Sequence, residues 1–370
     1  MAPIRSKPLK KDAFPNVFKT LKPVLFSESA SAKPSLLVPN IRSLSWSPTG
    51  SLIATCTSAH IRIWSPERPN VKNSTEIRNG HNASFGGGPG GNGAAVENVL
   101  FCPTTENVLS STGGDGGVRL WDVRVPGGAA GGGKGTALAD FKAGEPGRDP
   151  ALFLTWHPNG TEMLVGTKDD LVYSVDVRRM MDLDSASSNW ALEGNLLTPF
   201  PDQRSSTHYY GMCFSNSGRE VFATTGDGPV KILDYPSMSV LHTLTAHSNV
   251  TYAVHQSPRG EWLAVGGQDS LITVWDTYDW HCAHMLTGHT SPVRDLSFSF
   301  DGSYIVTGSG TDARDGSAGI EVYHADTGDI AHTIDTSNPV TVSAWHPLRY
   351  WVAYAGDPGG LKIVGAGSNV

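Results

Sequence analysis

Between Ser257 and Ser299 short apolar runs alternate with turn residues. The runs are Trp262 to Val265, Leu271 to Trp275 and His284 to Leu286, and they are separated by Arg259-Gly260, Gln268-Asp269-Ser270 and Asp276 to Asp279. Runs this short, bounded by Gly, Asp and Ser, predict β-strands rather than helices. Gly288-His289 and the run Val293 to Ser299 then open a further copy. The stretch therefore predicts an antiparallel four-stranded meander. One such sheet cannot bury both of its faces, so it requires siblings elsewhere in the chain.

The siblings are marked by an anchor residue followed four positions later by Gly: Trp46-Ser-Pro-Thr-Gly50, Trp156-His-Pro-Asn-Gly160, Phe214-Ser-Asn-Ser-Gly218, Gln256-Ser-Pro-Arg-Gly260 and Phe298-Ser-Phe-Asp-Gly302. Phe101-Cys-Pro and Trp345-His-Pro carry shortened forms, and the steps between successive anchors are 55, 55, 58, 42, 42 and 47 residues. An apolar strand follows each anchor. After a turn comes another strand, as in Ile61 to Trp64, Val118 to Asp122, Val172 to Asp176, Val230 to Asp234 and Ile320 to Tyr323. A period of about 40 to 45 residues with Gly-His and Trp-Asp marks is the WD-repeat signature. Seven copies predict an all-β fold, a seven-bladed WD-repeat β-propeller, with blades starting near residues 41, 96, 151, 209, 250, 293 and 340.

After Leu361 to Val364 too little chain remains for an outer strand and its turn. A propeller avoids a bare edge by closing its ring, so an N-terminal strand is expected to complete the last blade. Pro23 to Phe26 and Ser35 to Val38 both qualify, and the spacing to Ile41 favours the second. This reading divides the chain into a basic, mostly flexible arm at 1–34 and a propeller at 35–370, and it makes residues 1–40 necessary for stability.

Composition agrees with a turn-rich β protein: 17% charged residues and 42 Gly. No apolar run approaches the roughly 18 residues of a membrane span. No apolar segment follows the N-terminal basic residues as in a secretory signal. The four cysteines (Cys56, Cys102, Cys213, Cys282) lie in four different repeats, which suits a reducing, intracellular compartment. On that reading the Asn-x-Ser/Thr matches at Asn73, Asn82, Asn159 and Asn249 are chance.

The net charge of -7 hides an asymmetry. Seven basic residues among the first forty (Arg5, Lys7, Lys10, Lys11, Lys19, Lys22, Lys33) face only Asp12 and Glu28, a local +5 that leaves -12 on the rest of the chain. Such an arm suits nuclear import or phosphate contact, or merely solubility. The acidic body argues against broad nucleic-acid binding by the propeller itself.

Candidate chemistry is sparse. Gly128 to Lys134 looks like the start of a phosphate-binding loop, but Gly135 stands where Ser or Thr should hold magnesium and no helix follows. The Gly-rich stretches 82–94 and 126–137 read as spacers. Met180 to Arg204 lengthens the third repeat, and Thr311 to Ala318 the sixth. None of the thirteen histidines has helical zinc-site spacing. His81, His247 and His289 occupy a structural position, and His247, Asp269 and Trp275 are expected to form a buried hydrogen-bonded chain. Turn carboxylates such as Asp115 and Asp169-Asp170 support turns. No catalytic, metal or cofactor site is expected, and no enzyme.

A binding face is a better expectation. Counting four residues back from each anchor gives Arg42, Glu97, Leu152, Tyr210, Tyr252, Arg294 and Thr341. All fall near the start of an inner strand, and Tyr and Arg are residue types that concentrate binding energy.

Several segments resemble the family of third subunits of the THO complex, part of the transcription–export machinery. They are Val165 to Asp176 with its Lys-Asp-Asp turn, Gly226 to Pro236 ending in Asp-Tyr-Pro, Val293 to Ser299, and Val342 to Pro347, in register over about residues 40 to 365. The Gly-rich loops 82–94 and 126–137 and the short tail depart from the family pattern. The resemblance implies a nuclear, non-enzymatic scaffold subunit that docks on the large helical subunit of THO and touches mRNA indirectly or through the basic arm (Arg5, Lys7, Lys10, Lys11, Lys19, Lys22). A different class remains open. Trp121-Asp122-Val123-Arg124 matches the Trp-Asp-x-Arg pattern of substrate receptors for cullin-type ubiquitin ligases.

Overall fold

A computed structural model gives the structure of the protein and describes residues 7–18, 21–26, 40–68, 74–78, 80–81, 95–124, 137–143, 150–178, 195–197, 208–309, 319–336, 339–356 and 360–365. The Gly-rich stretches except residue 137, Thr311 to Ala318, Ser35 to Val38, and all of Met180 to Arg204 except 195–197 lie outside the described residues.

Seven four-stranded antiparallel sheets form the blades. We label the strands of each blade a to d from the channel outwards. In blade 5 these are Thr251–Gln256, Trp262–Gly267, Ile272–Asp276 and Cys282–Leu286. The inner strands of successive blades touch one another, and Ser43–Trp46 of blade 1 meets Val342–Trp345 of blade 7, so the ring closes.

Burial explains the composition of each strand. Strand b is covered on both faces by neighbouring blades, as in Ile53–Cys56 and Trp351–Ala355, where every residue is buried. Such strands read as unbroken apolar runs. Strand d is a rim strand, and in Val240–Leu244 only Leu244 is buried.

The anchor motif also has a physical origin. In the a–b turn the Gly amide bonds back to the carbonyl three residues earlier, as Gly218 does to Ser215 at 2.9 Å. That turn holds Gly218 at φ +73, a conformation that favours Gly. A Cβ there would also lie 2.2 Å from the His157 ring of blade 3.

Closure differs in detail from the sequence expectation. The outer strand of blade 7 is Val24–Phe26, which pairs antiparallel with Leu361–Gly365. The favoured candidate, Ser35 to Val38, is not that strand. The spacing to Ile41 is that of an ordinary repeat linker, whereas a closing strand need only reach the ring edge. Phe26 supplies the apolar reason for the choice: it is buried and packs edge-on to Trp64 of blade 1 at 5.7 Å.

The boundary at residue 34 moves as well. Lys11–Ala13 forms a single 3-10 turn that runs into the short helix Phe14–Phe18. Phe14 is fully buried, stacked on Tyr304 at 3.9 Å and on Phe18 at 4.5 Å. Trp345 and Tyr350 complete the cluster, and the Leu9 amide donates to the Tyr350 hydroxyl at 3.0 Å. The expected arm is therefore, in its described residues, part of the packed molecule.

Candidate functional site

All seven residues counted back from the anchors line one cavity of about 720 Å³ at the mouth of the central channel. Their placement has a backbone cause. In blades 2 to 6 the a–b pairing slips at one residue: between Val96 and Asn98, Ala151 and Phe153, Tyr209 and Gly211, Thr251 and Ala253, and Val293 and Asp295. The skipped residues are Glu97, Leu152, Tyr210, Tyr252 and Arg294. A β-bulge leaves its extra residue unpaired and re-aims the side chain, here toward the mouth. Arg42 and Thr341 stand just before their strands, each bonding its amide to strand b, to Cys56 at 2.9 Å and Ala355 at 3.2 Å.

The ring of seven is unequal. On one side Arg42 and Glu97 form an ion pair that spans blades 1 and 2. On the other, Tyr210 and Tyr252 meet edge-to-face at 5.6 Å and the Arg294 guanidinium lies over the Tyr252 ring at 4.9 Å. Arg294 is exposed and makes no ion pair among the described residues. Leu152 and Tyr210 are also exposed, at 38% and 46%. Asp295, next to Arg294 and lining the same cavity, accepts the amides of Leu296 at 3.0 Å and Ser343 at 2.8 Å. Burial nonetheless pushes its pKa up to about 7. Its carboxylate is thus occupied by backbone and does not neutralise Arg294.

The histidines serve the framework. In blade 5 the Trp275 indole donates to the Thr273 hydroxyl at 2.9 Å, that hydroxyl meets His247 Nε2 at 3.0 Å, and His247 Nδ1 meets Asp269 at 2.9 Å. Only Nδ1–H lets every group in this chain pair with its neighbour. Blade 2 repeats the chain through Trp121, Ser111, His81 and Asp115, each step at 2.8 Å. Burial works against the Asp115 carboxylate, yet its bond to His81 and the Arg119 guanidinium hold its pKa well below the usual range. The partners Ser111 and Thr273 were missed in the sequence, since a strand Ser or Thr carries no distinguishing mark.

His157 and His346 lie between blades. His157 Nε2 donates to the Gly218 carbonyl at 3.1 Å, and the His346 ring packs between Trp46 and Trp351. Burial pushes the His346 pKa down to about 4. At the blade 5 rim, Asp276, Asp279 and His281 bring three potential ligand atoms together, with His281 paired to Asp279 and Asp276 accepting the Tyr278 amide. Those contacts lock a tight turn. Arg124 is exposed and held by Asp122 at 2.6 Å, and Arg178 repeats the contact with Asp176 at 3.1 Å one blade on.

Of the basic arm, Arg5 and Lys19 lie outside the described residues. Lys7, Lys10 and Lys22 are exposed, and Lys11 pairs with Asp326 at 3.2 Å. These cations cover the outer side of a segment whose aromatic side is buried. Among the described residues no helix is long and apolar enough to cross a membrane.

Comparison with known proteins agrees with this architecture. The WD40 family (WD domain, G-beta repeat) matches residues 37–65, 88–122, 238–276 and 280–318. The chain is 29% identical over 319 residues to THO complex subunit 3 of Arabidopsis thaliana, covering 86% of each protein. It is 25% identical over 284 residues to WD repeat-containing protein AAC3 of Dictyostelium discoideum, covering 70% of this chain and 51% of that one. The β-propeller domain of Cps50 (Swd1) from Myceliophteria thermophila shares the fold with a TM-score of 0.68 at 15% identity, covering 90% of this chain and 98% of that chain. The protein is a seven-bladed WD-repeat β-propeller whose sequence resembles THO complex subunit 3 along most of its length.

Proposed function

We propose that the protein is a non-enzymatic scaffold subunit of a THO-type transcription–export assembly in the nucleus. It docks on the large helical subunit of that assembly and reaches mRNA indirectly or through its basic arm. The observation that carries this reading is the 319-residue match, which covers 86% of both proteins and so extends far beyond one shared repeat. The mouth supports a docking role, since it gathers two tyrosines and two arginines, types that dominate binding energy at interfaces.

The test is affinity purification of the tagged full chain from nuclear extract, with and without ribonuclease, read by mass spectrometry. Recovery of the other THO subunits in both arms is expected. Recovery of a cullin adaptor without THO subunits overturns the reading and makes Asp122 and Arg124 the site to pursue.

A further inference from the structure

The two sides of the channel mouth differ in one chemical respect. The Arg42 charge is met by Glu97, while among the described residues the Arg294 charge is met by the π-face of Tyr252 and by no carboxylate. Asp295, the nearest carboxylate along the chain, is occupied by two backbone amides. On the next blade the Thr341 hydroxyl has no hydrogen-bond partner among the described residues. A guanidinium over the face of an aromatic ring still has N–H groups directed away from that ring, and those groups match a carboxylate. Beyond Tyr252, around the ring, stand the exposed Tyr210 and Leu152. One arc of the mouth thus offers a cation, two aromatic rings and an aliphatic side chain around a cavity of about 720 Å³.

We propose that this arc docks a peptide segment of a partner protein that carries a single acidic side chain beside an apolar one. A Glu or Asp side chain of that segment pairs with Arg294, and a neighbouring apolar side chain packs on Tyr210 and Leu152. The inference rests on the docking reading above and names the chemistry of the partner. Charge decides between a peptide and a nucleic-acid strand. The chain beyond residue 40 carries -12. Asp169, Asp170, Asp227 and Asp269 stand in b–c turns, at the same end of the blades as the mouth. A phosphate chain crossing the mouth would meet those carboxylates on its way in and out. A single carboxylate aimed at Arg294 meets a guanidinium and two rings.

The test uses the full chain, immobilised and panned against a random dodecapeptide phage library. The enriched peptides are expected to carry Glu or Asp beside Leu, Phe or Tyr. A fluorescein-labelled synthetic copy of the most enriched peptide should bind at least about tenfold more weakly to Arg294→Gln, and equally to wild type and to Arg219→Gln, an exposed arginine on the opposite rim. Replacing the peptide's acid by its amide should produce the same loss. Thermal melts of the variants verify folding. Absence of any enriched peptide, a basic consensus, or indifference to Arg294→Gln overturns the proposal. So does a labelled uridine decamer whose binding depends on Arg294, which would make the mouth an RNA site. The two readings fail separately. Peptide binding that depends on Arg294, with no THO subunits in the purification, sinks the assembly and keeps the mouth. The reverse pattern sinks the mouth alone.

Discussion

Blade 5 and blade 7 perform the same architectural task by different means. Blade 5 is built from consecutive strands within Thr251–Leu286, and a polar chain from Trp275 through Thr273 and His247 to Asp269 ties its strands to the turns at the mouth. Blade 7 takes its outer strand, Val24–Phe26, from the other end of the chain. Beside it lies an apolar cluster of Phe14, Phe18, Tyr304, Trp345 and Tyr350. Local blades can be held by directional hydrogen bonds, because their strands are brought into register by tight turns. A seam closed by a distant segment has no turn to set its register. It needs bulky side chains whose burial gains enough to offset the cost of ordering that segment.

The largest test of this contrast is removal of residues 1–26. It takes away the blade 7 rim strand and three buried phenylalanines, Phe14, Phe18 and Phe26, and opens the ring edge. The expected outcome is loss of cooperative unfolding or recovery as aggregate, read by circular dichroism melts and size-exclusion chromatography. A truncated chain that melts like the full one would show that closure does not depend on the N-terminus.

Phe14→Ala isolates the aromatic component. Phe14 is fully exchanged from water and stacks on two rings, so its truncation should cost about 3–5 kcal/mol in urea unfolding. A loss below about 1 kcal/mol would mean that the helix is held mainly by something other than this ring.

The seam also brings a pH dependence. The His346 ring is buried between Trp46 and Trp351, and its pKa falls from 6.5 to about 4. The unfolded chain binds the proton more readily than the folded one between those values. Stability contributed by neutral His346 is therefore present above pH 6.5 and lost as pH falls toward 4, by roughly 2–3 kcal/mol. Asp295, raised to about 7, acts in the opposite sense: its contribution is lost as pH rises from about 4 to 7. His346→Asn keeps an acceptor for the Leu348 and Arg349 amides. It should flatten the acid side of the melting-temperature profile, and an unchanged slope from pH 6.5 to 4 would clear His346 of that role.

In blade 5, Trp275→Phe keeps the ring but removes the donor to Thr273. A loss of about 1–2 kcal/mol is expected from one buried hydrogen bond, smaller than the loss at Phe14. If the order of the two were reversed, polar locking rather than aromatic burial would be the stronger device in this ring.

The same contrast explains what could be read in the sequence. Turns leave local marks, so the anchor-to-Gly spacing locates the blades, and the sequence alone assigns His247, Asp269 and Trp275 to one chain. The seven mouth residues were reached by counting from the anchors. Their bulges were not, although Val96-Glu-Asn-Val99 and Val293-Arg-Asp-Leu296 carry the trace: buried residues three apart in a strand that otherwise alternates. The closing strand left no mark of its own. Two apolar quartets preceded Ile41, and only tertiary packing of Phe26 against Trp64 distinguishes them. Phe14 and Phe18 lie in one turn of helix, too short for a 3.6-residue period to emerge.

The smallest expected effect concerns charge at the seam. Lys11 pairs with Asp326 at 3.2 Å, but the two side chains are 49% and 55% exposed. An ion pair that wet gains little over its solvated separate charges and is screened by salt, so Lys11→Ala should change stability by about 0–1 kcal/mol. The measurement is a pair of urea titrations at low and high salt. A loss comparable to that of Phe14→Ala would mean that the N-terminal segment is steered electrostatically onto the acidic body. The expected near-neutral result leaves the Lys11 side chain free of a structural duty, and so available to a partner, while Phe14 and Phe18 hold the segment in place.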